Sequence, residues 1–246
     1  MRFNLIQYKC EIYLSLCFVF LSKFSPSLKA QKSFTAYVDS MIGAVGHVFV
    51  GASVPLGAVQ LGPSNIYKGW DWCYGYHYSN SVLIGFSHTH RSGTGGSDLG
   101  DVLIMPYTGE VKVSTGTQDN PSSGFASYYS YADEVVKPGD YSVKLKNSNI
   151  KVELAATERV GFHQYSFPQG KDAHVIVDLM DGNHDKATDT YIKQTDVNTL
   201  ISYRFSRGWA DAQRLYFAIR SSVPIRNFKC MMTSSLWGAL AARVQG

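Results

Sequence analysis

The fold class is decided by residues 140–156, which read DYSVKLKNSNIKVELAA. Apolar and polar residues alternate on both sides of the short polar turn Asn147-Ser148-Asn149. The apolar positions are Tyr141, Val143, Leu145, Ile150, Val152 and Leu154. Because successive side chains of a strand point to opposite faces, this pattern predicts a β-hairpin with one buried face.

The same alternation recurs outward from this hairpin. It places the apolar residues Ile201, Tyr203 and Phe205 on one face of a strand, and a later strand has Leu215, Phe217 and Ile219. The continuous apolar run 175–177 is instead typical of a strand that is covered on both faces. Short strands separated by glycine, proline and asparagine turns predict an all-β chain, a large antiparallel β-sandwich.

The N-terminus carries the features of a secretory signal. Arg2 and Lys9 precede an apolar run over residues 12–21, and a polar stretch ends at Ala30. The run is about half of the roughly 20 residues that span a bilayer. We therefore expect cleavage after Ala30, no membrane span in the mature chain, and a secreted or periplasmic protein.

Charge and cysteine content narrow the class further. The net charge of +4 is scattered, and without a basic block nucleic acid is not an expected partner. Of four cysteines, only Cys73 and Cys230 lie beyond the predicted signal. Two thiols do not make a disulfide framework, and the sequence leaves their pairing open.

Residues 69–78, which read GWDWCYGYHY, form the first chemical cluster. Aromatic rings stack on the apolar face of a pyranose, while aspartate and histidine bond its hydroxyl groups. The same aromatic residues could equally fill the core of the domain. From this stretch alone, sugar contact and core packing stay open.

A second cluster, residues 85–96, contains His88 and His90 in a glycine-rich stretch. With Asp98 they could ligate zinc or iron, but the spacing is weak evidence, and hydrogen-bonded histidines at a turn are the favoured interpretation. Residues 93–96 lack the Lys-Ser/Thr that completes a phosphate-binding loop, so nucleotide binding is excluded.

Asp98 and Asp101 form the third cluster, in a turn before a strand. They could be a carboxylate pair for acid–base catalysis or could bond the backbone of the turn. Their spacing does not decide between these roles. Turn bonding or hydrogen bonds to a substrate are favoured over catalysis.

These blocks, in order along the chain, resemble the N-terminal domain of glycoside hydrolase family 92. The matching segments are YVDSMIG (37–43), PLGAVQLGP (55–63), GWDWCYGYHYS (69–79), GFSHTHRSGTGGSDLGD (85–101), PGDYSV (138–143) and TERVGFH with Tyr165, Phe167 and Pro168 (157–168). The resemblance runs from about Tyr37 to Phe228.

The resemblance implies an exo-acting, inverting, calcium-dependent α-mannosidase that trims α-1,2-linked and related mannosides of N-glycans. Its β-sandwich is joined to a helical (α/α)6 barrel that supplies the general acid, the general base and most calcium ligands. This chain contains no counterpart of the barrel, so the resemblance implies no catalytic residue or complete calcium site here and a domain that is inactive alone.

By the same resemblance, the sandwich lines the sugar site. Trp70, Asp71 and Trp72 are the implied substrate contacts, and His88, His90, Asp98 and Asp101 are further candidates. The implied partners are mannose-containing glycans and the barrel. The alternative is a stand-alone carbohydrate-binding module that recognises mannosides.

Two segments depart from the family pattern. Residues 43–49 form a loop about two residues shorter than in the family. Residues 229–246, which read KCMMTSSLWGALAARVQG, show neither alternation nor turn residues. We therefore predict a sandwich domain over residues 31–228 and an off-pattern tail, as a truncation or frameshift would produce.

Overall fold

The computed structural model describes residues 34–93, 95–110, 112–233 and 236–244. The chain divides into two compact units, residues 1–36 and residues 37–246, and all of the β-strands lie in the second unit. The predicted signal, residues 1–30, lies outside the described residues. Within them, no helix is long and apolar enough to cross a membrane.

Strands make up nearly all of the regular structure. They are β1 (Ala52–Ser53), β2 (Gln60–Asn65), β3 (Val82–Ser87), β4 (Leu103–Thr108), β5 (Ser127–Tyr128), β6 (Val135–Lys137), β7 (Asp140–Leu145), β8 (Ile150–Ala156), β9 (Gly161–Ser166), β10 (Ala173–Asp178), β11 (Lys186–Gln194), β12 (Thr199–Arg207), β13 (Gln213–Arg220), β14 (Ile225–Thr233) and β15 (Leu236–Val244). Four 3-10 helices span Phe34–Tyr37, Trp70–Trp72, Pro121–Ser123 and Tyr131–Asp133. The predicted all-β class is confirmed, since the described residues form no α-helix.

The strands form three antiparallel sheets. An eight-stranded sheet has the order β1-β2-β3-β4-β10-β15-β14, with β5 paired to β3. A second sheet has the order β6-β7-β8-β9, and a third has the order β11-β12-β13. Sheets of this kind pack through their apolar faces, and here two core clusters join the large sheet to the two smaller ones.

The hairpin predicted from residues 140–156 is formed by β7 and β8. Val143 pairs with Val152 and Leu145 with Ile150 across the turn. These residues are buried in the core cluster that the four-stranded sheet shares with the large sheet. The alternation of apolar residues therefore identified both the strands and the buried face.

Strand β10 is covered on both faces, as its continuous apolar run predicted. Ile176 belongs to the core shared with the four-stranded sheet, whereas Val177 belongs to the core shared with the three-stranded sheet. The neighbouring strand β4 divides in the same way between Met105 and Ile104. Both smaller sheets therefore pack on this pair of central strands, on opposite faces.

The apolar residues of strand β12 predict the wrong buried face for this strand. Ile201 is exposed, and Tyr203 and Phe205 are only partly buried. The buried positions are Leu200, Ser202, Arg204 and Ser206. Arg204 points inward because it forms ion pairs with Asp101 and Asp185 in the interior. The rings of Tyr203 and Phe205 stack on each other on the opposite face of the strand.

The segment after residue 228, predicted to be an off-pattern tail, forms strands in its described part. Residues 225–233 form β14, and residues 236–244 form β15. Strand β15 pairs with β10 on one edge and with β14 on the other. Backbone hydrogen bonds on both edges hold a strand whatever its side-chain pattern, so alternation gave no signal here.

Candidate functional site

The aromatic cluster at residues 69–78 divides into an exposed part and a buried part. Trp70 begins a 3-10 turn, is 59% exposed, and is followed by exposed Asp71. Tyr74 and Tyr76 are buried, with the Tyr76 hydroxyl donating to Glu134 at 2.9 Å. The cluster is therefore divided: the turn presents residues to solvent, and Tyr74 and Tyr76 after it fill the core.

Trp70 is held in place by residues from two other loops. The ring of His47 lies edge-on to Trp70, with 5.7 Å between ring centroids. Its Nε2 is 3.4 Å from Asp71 Oδ1, close but without hydrogen-bond geometry. The loop at residue 95 closes the group, because the Gly95 N–H donates to the Tyr74 hydroxyl at 2.6 Å.

Gly95 needs to be glycine for this arrangement. Its φ is +67°, and a Cβ there would lie 3.1 Å from Trp70 Cζ2 and 3.3 Å from His47 Nδ1. The lack of a side chain lets the loop backbone approach both rings. The exposed residues Trp70 and Asp71, with the partly buried His47 beside them and Tyr74 and Gly95 behind them, are called here the Trp70 site.

The implied substrate contacts are Trp70, Asp71 and Trp72, and of these Trp72 is the least exposed. Its ring is partly buried and stacks on His77, with 4.1 Å between centroids and an interplanar angle of 18°. The Lys68 ammonium lies 5.9 Å from the Trp72 centroid. Trp72 therefore supports the turn from beneath, while Trp70 faces solvent.

His88 belongs to a chain of hydrogen bonds inside the domain. Its Nδ1 donates to the Val102 carbonyl at 2.8 Å, so in the neutral ring Nε2 accepts from His163 Nε2, at 2.9 Å. His163 Nδ1 then accepts from the Tyr165 hydroxyl at 2.7 Å. Every ring nitrogen of the pair is used once.

His90 is buried and bonds a different set of partners. Its Nδ1 donates to the Gln60 carbonyl at 2.8 Å, and its Nε2 lies 3.0 Å from Ser87 Oγ. Burial lowers the pKa of His88 and of His90 to about 4, and it lowers the pKa of His163 as well. The three rings are therefore neutral near pH 7.

Asp101 lies in a fully buried ion cluster. Its Oδ1 accepts from Arg204 Nη1 at 2.5 Å, and its Oδ2 accepts from Thr89 and Gln213, both at 2.6 Å. Arg204 also makes two bonds to Asp185, at 2.9 and 2.5 Å. Burial raises the pKa of Asp101, and the adjacent guanidinium opposes that rise.

Asp98 anchors a distant loop. Its Oδ2 is 3.4 Å from Arg91 Nη2 and accepts from the backbone N–H groups of Trp209 and Ala210, at 3.2 and 3.4 Å. Arg91 also stacks on the exposed indole of Trp209, with 4.0 Å from its Cζ to the ring centroid. Asp98 itself is buried.

The structure thus brings only some of the predicted site residues to the surface. Trp70 and Asp71 are exposed together, and Trp72 supports them. His90, Asp98 and Asp101 are buried and His88 is partly buried, and their side chains bond other parts of the domain. The residues of these contacts that were not predicted from the sequence include His47, Arg91, Arg204 and Trp209.

A calcium ion takes six to eight oxygen ligands. The oxygens of Asp101 are all taken up by other side chains, and those of Asp98 lie against Arg91 and the loop that contains Gly208. Across the described part of the chain, no three His, Cys, Asp or Glu side chains gather in a way that could hold a metal ion. These residues do not fit a calcium site, and no chemistry is routed through one here.

Three packed antiparallel sheets with an exposed tryptophan turn define a β-sandwich domain. The family model described as the glycosyl hydrolase family 92 N-terminal domain matches residues 37–243. The chain belongs to this family. The match extends through β14 into β15 and so includes most of the segment that was predicted to lie outside the pattern.

Solved structures share the fold. The family 92 α-mannosidase BT3965 from Bacteroides thetaiotaomicron is 28% identical, with a TM-score of 0.80 over 87% of this chain and 31% of its own. A second structure of BT3965, in complex with mannoimidazole, is 29% identical, with a TM-score of 0.79 over 85% of this chain and 30% of its own. The inverting mannosidase BT2199 from the same organism is 22% identical, with a TM-score of 0.72 over 89% of this chain and 30% of its own, a likeness of fold alone.

A curated relative from Arthroderma benhamiae, named an uncharacterized secreted glycosidase, is 31% identical over 155 residues. That match covers 59% of this chain and 20% of the relative. This chain therefore spans less than a third of the length of these relatives.

Proposed function

We propose that this chain forms the sugar-binding wall of a secreted α-mannosidase that acts on α-1,2-linked and related mannosides of N-glycans. The observation that carries the proposal is the position of Trp70, which is 59% exposed within an aromatic cluster whose other half is buried. An exposed tryptophan held by packed neighbours offers a rigid face for a pyranose ring.

The chemistry around Trp70 suits a sugar. The exposed Asp71 carboxylate accepts hydrogen bonds from sugar hydroxyls, and it lies next to the exposed ring of Trp70 in the same turn. The α-mannosidase BT3965, which is 29% identical to this chain, has been solved in complex with mannoimidazole. Mannosides are therefore the proposed ligands.

Hydrolysis of a mannoside requires catalytic groups in addition to this sugar-binding surface. An inverting glycosidase needs an acid and a base roughly 6.5–9.5 Å apart, with a water on one side of the scissile bond. Asp71 is the carboxylate of the Trp70 site, while Asp101 and Asp185 are held in the ion pairs of Arg204. We propose that a helical barrel domain supplies the acid, the base and calcium, and that this chain alone does not turn over substrate.

Secretion is proposed on two grounds. Residues 1–30 have the charge and hydropathy pattern of a cleaved signal. The Arthroderma relative is named as secreted. Membership of family 92 favours a mannosidase domain over the stand-alone binding module that the sequence left open.

Calorimetric titration with α-1,2-mannobiose tests the proposal. We expect saturable binding that Trp70→Ala abolishes and that Tyr216→Ala leaves unchanged, because Tyr216 is a similarly exposed aromatic residue on a different sheet. With calcium present, the chain should release no mannose. Turnover above the blank would contradict the inactive state, and equal binding by the Trp70→Ala variant would contradict the site.

A further inference from the structure

Trp209 is a second exposed tryptophan, and the Trp70 site does not include it. It lies in the loop between β12, which ends at Arg207, and β13, which begins at Gln213. Its side chain is 81% exposed. A single exposed aromatic ring is ordinary on a protein surface, but this ring is held by its neighbours.

The loop that carries Trp209 is fixed at its base. The buried carboxylate of Asp98 accepts the backbone N–H groups of both Trp209 and Ala210. Gly208 packs so closely on Asp98 that a Cβ there would clash with the carboxylate. The ring is therefore exposed while the backbone beneath it is tightly held.

Arg91 holds the indole from one side. Its guanidinium lies 4.0 Å from the ring centroid, is 14% exposed, and pairs with Asp98, which is 1% exposed. A cation over the ring face restricts the ring at a small cost in side-chain entropy. The exposure of Trp209 shows that much of the remaining ring surface faces solvent.

Trp209 and the Trp70 site are joined by one short segment, residues 91–95. Arg91 contacts Trp209 at one end of the segment, and Gly95 packs against Trp70 at the other. Four residues span at most about 14 Å when fully extended. The two exposed indoles therefore contact residues that are four positions apart in the chain, Arg91 and Gly95.

We propose that Trp209, supported by Arg91, forms a second sugar subsite that binds an inner residue of a mannose oligosaccharide whose terminal sugar lies on Trp70. The proposal rests on the proposed function and extends it from a single sugar to an oligosaccharide. The indole stacks on the apolar face of that pyranose through the ring face that Arg91 leaves uncovered. Trp209 is a binding residue and takes no part in bond cleavage.

Titration of the 246-residue chain with methyl α-mannoside and with an α-1,2-linked mannotetraose tests this. We expect Trp209→Ala to weaken tetraose binding roughly tenfold, as truncation of an aromatic anchor does, and to leave methyl mannoside binding unchanged. Trp209→Phe, which keeps a ring, should lose less. Trp70→Ala should weaken binding of both ligands, and Tyr216→Ala should weaken neither.

The outcomes separate the two proposals. If Trp70→Ala weakens both ligands but Trp209→Ala changes neither, the second subsite is wrong and the proposed function stands. If the unmodified chain binds neither ligand, both fail. If Trp209→Ala alters self-association in sedimentation without altering sugar affinity, the exposed ring serves a protein contact and the subsite is again wrong.

Discussion

Arg204 and Asp185 form a two-point ion pair in the interior of the domain. Arg204 Nη1 bonds Asp185 Oδ2 at 2.9 Å, and Nη2 bonds Oδ1 at 2.5 Å. The same guanidinium reaches Asp101, and its Nε donates to the Leu179 carbonyl at 2.8 Å. One buried cation thus ties strand β12 to the ends of β4 and β10.

Removal of this cation should be strongly destabilising. Arg204→Ala leaves two buried carboxylates without their partner, a loss typically of about 3–5 kcal/mol. Chemical denaturation measures it, with Arg207→Ala as the control, because the Arg207–Asp211 pair is long, at 3.8 Å, and exposed. Equal stability of the two variants would contradict the role of the cluster.

Stability should fall in mild acid because of the His88–His163 pair. Protonation puts two N–H groups face to face at 2.9 Å. The folded pKa of His88, about 4, lies below the ordinary value of 6.5, so its contribution is complete above pH 6.5 and is lost as the pH falls toward 4. At pH 5 the loss is about 2 kcal/mol for this histidine.

Denaturant titrations at pH 7.5 and pH 5 measure this loss. Burial raises the pKa values of Asp178 and Asp181, which changes stability in the opposite direction, so the histidine effect is isolated by comparison with His88→Gln/His163→Gln. The double variant should lose less stability between the two pH values than the unmodified chain. An identical loss in both proteins would show that the pair is not the acid-sensitive element.

The two halves of the aromatic cluster should respond differently to truncation. Trp70→Ala removes an exposed ring, so we expect a change in unfolding free energy within about 0.5 kcal/mol. Tyr76→Ala empties a core position and removes a hydrogen bond to Glu134, which should cost about 3–5 kcal/mol. Thermal and denaturant unfolding compare the variants. A Trp70 variant as unstable as the Tyr76 variant would mean that Trp70 is a core residue.

Gly95→Ala should weaken mannoside binding through Trp70. The new Cβ would lie 3.1 Å from the indole and displace it, in addition to a backbone cost of about 1–2 kcal/mol for a positive φ. Gly93→Ala is the matched control, since its φ of +78° is similar but no atom lies within 4 Å of its Cβ. Both variants should carry the backbone cost of a positive φ, and only Gly95→Ala should bind mannobiose less well. Equal mannobiose binding by the two variants would show that the loop containing Gly95 does not position Trp70.

Two elements of the fold were predicted correctly from short stretches of the sequence. Alternation in residues 140–156 gave β7 and β8 with the correct buried face, and the continuous run at 175–177 gave a strand covered on both faces. These features depend on burial of apolar residues, which is visible in a short stretch.

What the sequence did not predict depends on partners far away along the chain. Arg204 faces inward because Asp101 lies 103 residues away in the chain yet next to it in space, so Tyr203 and Phe205 face outward against the apolar pattern. Likewise, Trp70 and Tyr76 are both aromatic residues of one cluster, and only the contacts of the folded chain decide which of them is exposed. Arg91 and Trp209 are similarly joined only by the fold.

Binding of a mannoside to the exposed face of Trp70 underlies both proposals. Two-dimensional ¹H–¹⁵N spectra of the tryptophan indole groups during titration with α-1,2-mannobiose observe this contact at the ring itself, with Trp70→Phe used to assign the signal. We expect the Trp70 indole signal to shift saturably and by more than that of Trp72, which stacks beneath on His77. A Trp70 signal that stays unchanged while mannobiose binds elsewhere on the chain would contradict the assignment of Trp70 as the sugar-binding face.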